Sequence, residues 1–359
     1  MKKILILTAS FGEGHNAAAR GIRDGLSRIS PVAEVELHDL FAETYGAFNE
    51  LIRKAYLTLI DRWPRSWGTV YRWLDKKTTV DRDLDRFFGA VRNRLAHVLA
   101  RFHPDVVVSS FPPYPYMITR ILGSDRSCKN VVVITDSITV NAIWFRCSAD
   151  YFLVPNEQSA AVVRNGGIAP ELIKTFGFPV SPKFADLAQD RQPPLESRRV
   201  LYVINAATQR ATELVDKLLA LDIELTVTVG RDENLRQAIG AAAADRRINI
   251  VGWTEELPRM LGESHLLVGK AGGAMVQETI AARCPMVINH IVSGQEEGNA
   301  RLIVETDSGA IALTSEAVVT EVQRAFADGA QQWRLWHDNI SKLSRPRAAL
   351  DVAEFLVSL

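Results

Sequence analysis

Cysteine is scarce in this 359-residue chain. Cys128, Cys147 and Cys284 stand far apart and form no CxxC pair. That argues against a disulfide framework and against a zinc site, and it suits a reducing cytoplasm. An excess of charge is lacking too, since 42 Lys and Arg balance 42 Asp and Glu. Without a whole-protein basic field, bulk nucleic-acid binding is not expected, and an anionic partner has to be met by a local patch. Long apolar runs are missing as well. Nothing approaches the ~18 continuous apolar residues of a spanning helix, so any membrane contact is expected from the surface. The opening MKKILILT has two lysines before a short apolar run. About six apolar residues fall short of the roughly 7–15 of a signal-peptide core, and the run reads as a first strand.

What the chain does have is alternation. Short runs rich in Val and Ile recur between longer helical patterns, the signature of parallel β/α units. The first half carries ILIL at 4–7, DVVVSS at 105–110, NVVVIT at 130–135 and YFLVP at 151–155. The second restarts with RVLYVI at 199–204, ELTVTVG at 224–230, RINIVG at 247–252 and HLLVG at 265–269, followed by PMVINH at 285–290 and GAIAL at 309–313. Between the halves lies DLAQDRQPPLESRR, polar and without periodicity, which reads as a linker. The pattern predicts an α/β chain of two doubly wound domains, 1–185 and 198–359, facing across a cleft, with ligands at the carboxyl ends of the strands. The last helix is left free to pack back on the first domain.

Residues 41–100 break the rhythm with a helical stretch rich in aromatics. Trp63, Trp67, Tyr71 and Leu74 fall on one helix face, with Arg62, Arg65, Arg72, Lys76 and Lys77 around them. Such a stripe fits a core-facing helix with a solvated basic side. It equally fits a helix seated on an anionic lipid surface. FPPYPYM at 111–117 is open in the same way, as a shallowly inserting loop or a rigid edge of the core.

Chemistry concentrates in three segments. In LLVGKAGGAMVQE, a strand runs into Gly272 and Gly273 and then a helix. Glycines let backbone N–H groups approach an anion, and the helix N-terminus adds partial positive charge, so the turn is a credible diphosphate seat. Glu278, one turn in, could bridge vicinal ribose hydroxyls. One β/α unit later comes SGQEEGN, in which Gln295, Glu296 and Asn299 are suited to sugar hydroxyls. In ASFGEGHNAAARGI, Gly12 and Gly14 make a tight strand-to-helix passage that exposes His15 at a strand's carboxyl end. Asp136, at the end of another strand, could orient His15 or act as base itself. Each feature alone also has an ordinary structural explanation as a turn, a cap or a solvated polar loop.

Taken in order, the blocks resemble glycosyltransferase family 28, whose motif is roughly KPGG…E…PGQE…N, and within it the monogalactosyldiacylglycerol synthases and processive diacylglycerol glucosyltransferases. HPDVVVSSFPPYP, VVVITDSITVNAIWFRCSADYFLVPNE and IKTFGFPVSPKF are similar as well, so the likeness spans most of residues 3–305. The resemblance implies a GT-B fold of two Rossmann-like domains: an acceptor-binding, membrane-facing N-terminal domain and a nucleotide-sugar-binding C-terminal one. It implies an inverting, metal-independent hexosyltransferase without a cofactor, using UDP-glucose or UDP-galactose and a lipid acceptor such as diacylglycerol. It places the protein peripherally on the inner face of the cell membrane, docked on an anionic surface through region 41–100. Carried over by position, His15 or Asp136 is the catalytic base and Gly14 belongs to the substrate loop. Gly252 and Trp253 lie near the uracil, Gly272 and Gly273 face the diphosphate, and Glu278 faces the ribose. Gln295 and Glu296 hold the hexose, with Asn299 nearby, and Gly294 belongs to the same substrate-binding loop.

Three positions depart from the family pattern. Ala271 replaces a proline. Asn141 replaces the histidine of the TD…H…W block, which removes a titratable group there. The first loop of the second domain reads INAATQR, with no glycine. These departures keep alive a catalytically degenerate nucleotide-sugar or lipid-binding relative, or a GT-B enzyme with a non-lipid acceptor.

Overall fold

The computed structural model describes residues 1–46, 88–123, 126–138, 140–187, 195–205, 208–243, 248–292 and 296–359. The aromatic stripe at Trp63, Trp67, Tyr71 and Leu74 lies outside them. The chain divides into two compact units: Met1–Pro182 with Val292–Gly298 and Arg347–Leu359, and Lys183–Ile291 with Asn299–Pro346.

The first unit is built on β1 (Lys3–Thr8), β2 (Glu34–Asp39), β3 (Val106–Ser109), β4 (Lys129–Val133), β5 (Tyr151–Val154) and β6 (Ile173–Thr175). All pair in parallel, in the order β2-β1-β3-β4-β5-β6. Apolar runs such as Ile4–Leu7 and Val106–Val108 are fully buried, because a parallel strand is covered by helices on both faces. β2 and β6 are absent from the apolar-run reading. As edge strands with half-buried or exposed residues, they carry too little apolar signal. The helices are α1 (Glu13–Ile29), α2 (Leu40–Tyr45), α3 (Gly89–Phe102), α4 (Pro113–Leu122) and α5 (Glu157–Asn165).

FPPYPYM is not an inserting loop. Pro113 opens α4, and Tyr114, Tyr116 and Met117 are buried. The Tyr114 hydroxyl donates to Thr8 O at 2.8 Å and accepts from Leu40 N at 3.2 Å. A phenol buried with both hydrogen-bonding needs met belongs to the core.

The second unit contains β7 (Arg199–Val203), β8 (Glu224–Thr228), β9 (Ile248–Val251), β10 (Leu266–Lys270), β11 (Met286–His290) and β12 (Gly309–Ile311). They form another parallel sheet, in the order β12-β11-β10-β7-β8-β9. Helices α6 (Ala211–Leu218), α7 (Glu233–Ala243), α8 (Leu257–Glu263), α9 (Gly273–Ala281), α10 (Glu297–Glu305), α11 (Ser315–Phe326) and α12 (Gln331–Leu343) accompany it. Trp333 and Trp336 are sealed in its core, and Trp333 donates through Nε1 to His265 O at 2.6 Å. Among the described residues no helix is long and apolar enough to cross a membrane.

The last helix, α13 (Ala348–Ser358), packs against α1. Gly25 permits this close packing, and Gly21 permits a second close approach, to the Pro179 backbone. A Cβ at Gly21 would sit 1.9 Å from Pro179 O, and one at Gly25 would sit 2.4 Å from Ala349 O. Backbone cannot give way as a side-chain tip can. Gly21→Ala is therefore expected to lower the urea unfolding free energy by about 1–3 kcal/mol or more. Gly89→Ala, which meets nothing within 4 Å at the start of α3, should leave stability unchanged or raise it by up to ~1 kcal/mol.

Candidate functional site

Each sheet has one point where the strand order reverses, between β1 and β3 in the first and between β7 and β10 in the second. Helices leave toward opposite faces there, so the loops at the strand carboxyl ends open a crevice. His15 follows β1, Phe111 follows β3, and Gly272 and Gly273 follow β10.

In the first unit the His15 N–H donates to Gly12 O at 3.2 Å, which closes the turn into α1. Gly14 lies in that first helical turn. The imidazole is half-buried and packs beside Phe111 (5.3 Å between centroids) and Trp144 (5.8 Å). Its Nδ1 meets Thr135 Oγ1 at 3.0 Å. Desolvation drives its pKa from 6.5 down to about 4, opposed by a hydrogen bond with the Ser110 backbone. His15 is thus a neutral base at neutral pH.

Asp136, the other candidate, follows β4. Its Oδ2 accepts from Trp144 Nε1 at 2.7 Å, while the partner at His15 Nδ1 is Thr135. Trp144 reaches Asp136 from a short 3-10 turn, Ala142–Trp144, capped by Asn141, whose Oδ1 accepts from Ile143 N at 3.0 Å. The residue that replaces the family histidine therefore shapes the turn carrying Trp144. Thr135 is the first residue of the TD…H…W block. Its hydroxyl is a site group because of where β1 and β4 end.

In the second unit the glycine turn is fixed by Ala271 N to His290 O (3.0 Å) and Gly272 N to Lys270 O (2.8 Å). Gly272 is the N-cap of α9 and has no side chain to cap it. The first-turn N–H groups, from Gly273 on, lack intrahelical acceptors by helix geometry and face the end where anions are favoured. Asn299, buried, donates through Nδ2 to Ala271 O at 3.1 Å, so it braces this turn. Glu278 is half-buried in the second turn of α9. Gly252 sits where a Cβ would meet Gly230 O at 3.4 Å. Trp253 is 59% exposed, with the Arg231 guanidinium 5.2 Å above its ring. That leaves an aromatic surface for a planar partner and argues against its simply packing beneath the loop.

Gly294 and Gln295 lie outside the described residues. Glu296 is buried, and its Oε2 accepts from Val292 N at 2.8 Å, so one carboxylate oxygen closes its own loop. The Val292–Gly298 stretch that holds it is grouped with the first unit, whereas Asn299 is grouped with the second. Arg210 and Tyr202, which the sequence motifs do not include, line a small cleft in this unit. Arg210 ends the INAATQR loop and donates to Leu313 O at 2.9 Å. Tyr202, pushed up to about 12 by burial, accepts from Asn289 Nδ2 at 3.4 Å and stays protonated. Among the described residues no group of three His, Cys, Asp or Glu is placed to hold a metal ion.

The low His15 pKa has a measurable consequence for stability. Above pH 6.5 the ring is neutral both folded and unfolded and contributes nothing. As pH falls from 6.5 toward about 4, the unfolded chain gains a proton that the folded ring resists, so stability declines. His15→Gln lacks that penalty. Between about pH 7 and about pH 5 its urea midpoint should fall less than that of the unaltered protein.

Residues 15–180 match the family model described as monogalactosyldiacylglycerol (MGDG) synthase. The chain is 24% identical over 379 residues to a protein of Oryza sativa subsp. indica named probable monogalactosyldiacylglycerol synthase 2, chloroplastic. That match covers 98% of this chain and 80% of the other. Among solved structures, MurG of Acinetobacter baumannii superposes with a TM-score of 0.62 at 15% identity, covering all of both chains. Os79 of O. sativa, solved with U2F and trichothecene, gives 0.65 at 14%, covering 99% of each. The structural neighbours establish a GT-B fold, and the sequence comparisons show that the chain is similar to the monogalactosyldiacylglycerol synthases.

Proposed function

We propose that this protein is an inverting glycosyltransferase that moves a hexose from UDP-glucose or UDP-galactose to a lipid of the diacylglycerol kind. It works without a metal ion, at an anionic membrane surface on the cytoplasmic side. The observation that carries the reading is His15. It opens the segment matched to MGDG synthase, stands at the switch point of its sheet, and is kept neutral by burial.

In the proposed reaction the acceptor hydroxyl oxygen attacks C1 of the hexose from the face opposite the diphosphate. The C1–O bond breaks and its electron pair leaves with UDP, which yields a β-glycoside from an α-linked donor. A base near pKa 4 cannot deprotonate a free alcohol to any extent. It takes the proton as the new bond to C1 forms, when the attacking oxygen becomes strongly acidic. Thr135 holds Nδ1 of that base, and Asp136 accepts from Trp144, whose ring packs beside the imidazole. The α9 N-terminus favours the departing diphosphate, Glu278 the ribose and Trp253 the uracil. The basic, aromatic region 41–100 supplies the membrane contact.

A second reading is a nucleotide-sugar binder without turnover. It draws on Asn141 serving as a turn cap and on the glycine-free INAATQR loop.

Labelled UDP-glucose and UDP-galactose, each with diacylglycerol vesicles, separate the two. The expected outcome is β-glycolipid from one donor, unaffected by EDTA. A UDP-induced rise in Tm with no glycolipid supports the second reading. His15→Ala should lower kcat by about 10²–10⁴-fold with donor affinity kept, and unchanged turnover removes His15 from the base role. The acid limb of kcat/KM belonging to His15 is expected near about 4 rather than 6.5.

A further inference from the structure

Thr135, Asp136, Ser137 and Ile138 leave β4 in a turn that local preference opposes. Ile138 sits at φ 59°, in the left-handed region where a Cβ crowds the neighbouring carbonyl. A β-branched residue there is a marked outlier. Backbone strain of this kind persists where surrounding contacts over-determine it, and it gathers at functional sites.

One side chain spans the backbone just ahead of the strained residue's Cα. Ser159, in the first turn of α5, is fully buried. Its Oγ accepts from Ile138 N at 3.2 Å and donates to Asp136 O at 3.4 Å. A hydroxyl has one proton to give and lone pairs to receive, and here both uses are spent on this turn. The serine is itself anchored, because its backbone N–H donates to Asn156 Oδ1, the α5 cap, at 2.8 Å. The same turn presents Thr135 to His15 Nδ1 and Asp136 to Trp144 Nε1. The contacts of both candidate catalytic groups thus depend on one short segment.

We propose that Ser159 is a positioning residue of this site: its buried hydroxyl clamps the strained Asp136–Ile138 turn and so sets where the Asp136 carboxylate and the Thr135 hydroxyl meet Trp144 and His15. Without the clamp, residue 138 relaxes to negative φ, the peptide planes on its N-terminal side rotate, and the two side chains move off their partners. The role deepens the hexosyl-transfer reading and relies on it for turnover, but a spectroscopic readout stands apart from it.

The test uses the full chain with ¹⁵N-labelled tryptophan, the Trp144 indole resonance being assigned by its loss in Trp144→Phe. In Ser159→Ala the Trp144 Nε1–H signal should move upfield as its carboxylate bond weakens. With UDP-hexose and diacylglycerol vesicles, kcat should fall by about 10- to 100-fold, with donor KM held within about twofold. Adding Ile138→Gly, which accepts φ 59° without steric penalty, should restore much of both. An unmoved indole signal with unchanged kcat overturns the proposal. So does a loss that Ile138→Gly does not repair, since that marks a merely structural serine. If the unaltered protein transfers no hexose, the hexosyl-transfer reading fails. The indole signal and its repair by Ile138→Gly then decide the clamp alone.

Discussion

Everything in this protein depends on one constraint of parallel sheets: each strand-to-strand crossover must leave and return on the same side with the same hand. All strand pairs in both sheets are parallel. Where the order reverses, successive crossovers part to opposite faces, and backbone at the strand ends is left uncovered. His15 and the Gly272–Gly273 turn occupy those two places. The polar chemistry sits there because the rest of β1, β3, β7 and β10 is sealed under helices.

An uncovered loop still has to be held in one shape, and buried or half-buried polar side chains do this. The Asp39 carboxylate, at the end of β2, accepts from Ser10 N (2.8 Å) with one oxygen and from Ala42 N (2.9 Å) with the other. It thereby fixes the β1–α1 turn and caps α2 together. Asn16 links Thr8 to Ser10 on the opposite side. Asn141, Glu296 and Asn299 act in the same manner: each was read as facing a ligand or as replacing a group that does, and each spends a side-chain bond on its own loop or a neighbouring turn. Bracing and ligand contact are compatible for a side chain with more than one polar atom. The cost of leaving a buried polar group unpaired explains why so many are committed.

Burial also tunes the chemistry. His15 loses water to Phe111, Trp144 and the β-strand ends, so its charged form is disfavoured. Its Nδ1 partner is a neutral hydroxyl, with no carboxylate there to pull the pKa back up. Tyr202 is driven the other way by the same desolvation, so it remains a phenol. Near neutral pH the imidazole keeps its lone pair while the tyrosine keeps its proton.

The sequence by itself determined the α/β class, ten of the twelve strands among the described residues, the His15 loop and the glycine turn before α9. These features are local: apolar run length, glycine placement and helix-start chemistry are written in consecutive residues. The edge strands β2 and β6 escaped because a strand lacking a buried apolar face has no local signature. The aromatic residues after Phe111 fit an inserting loop or a core edge equally by sequence, and α4 folds them inward. Only the tertiary structure decided that Thr135 serves His15 across 120 positions of chain, that Trp144 holds Asp136, and that Ser159 bridges a turn more than twenty residues away. Those pairings arise from which strands become neighbours in the sheet. Adjacency of that kind is set by the packing of the whole unit and leaves no trace in any single stretch of sequence.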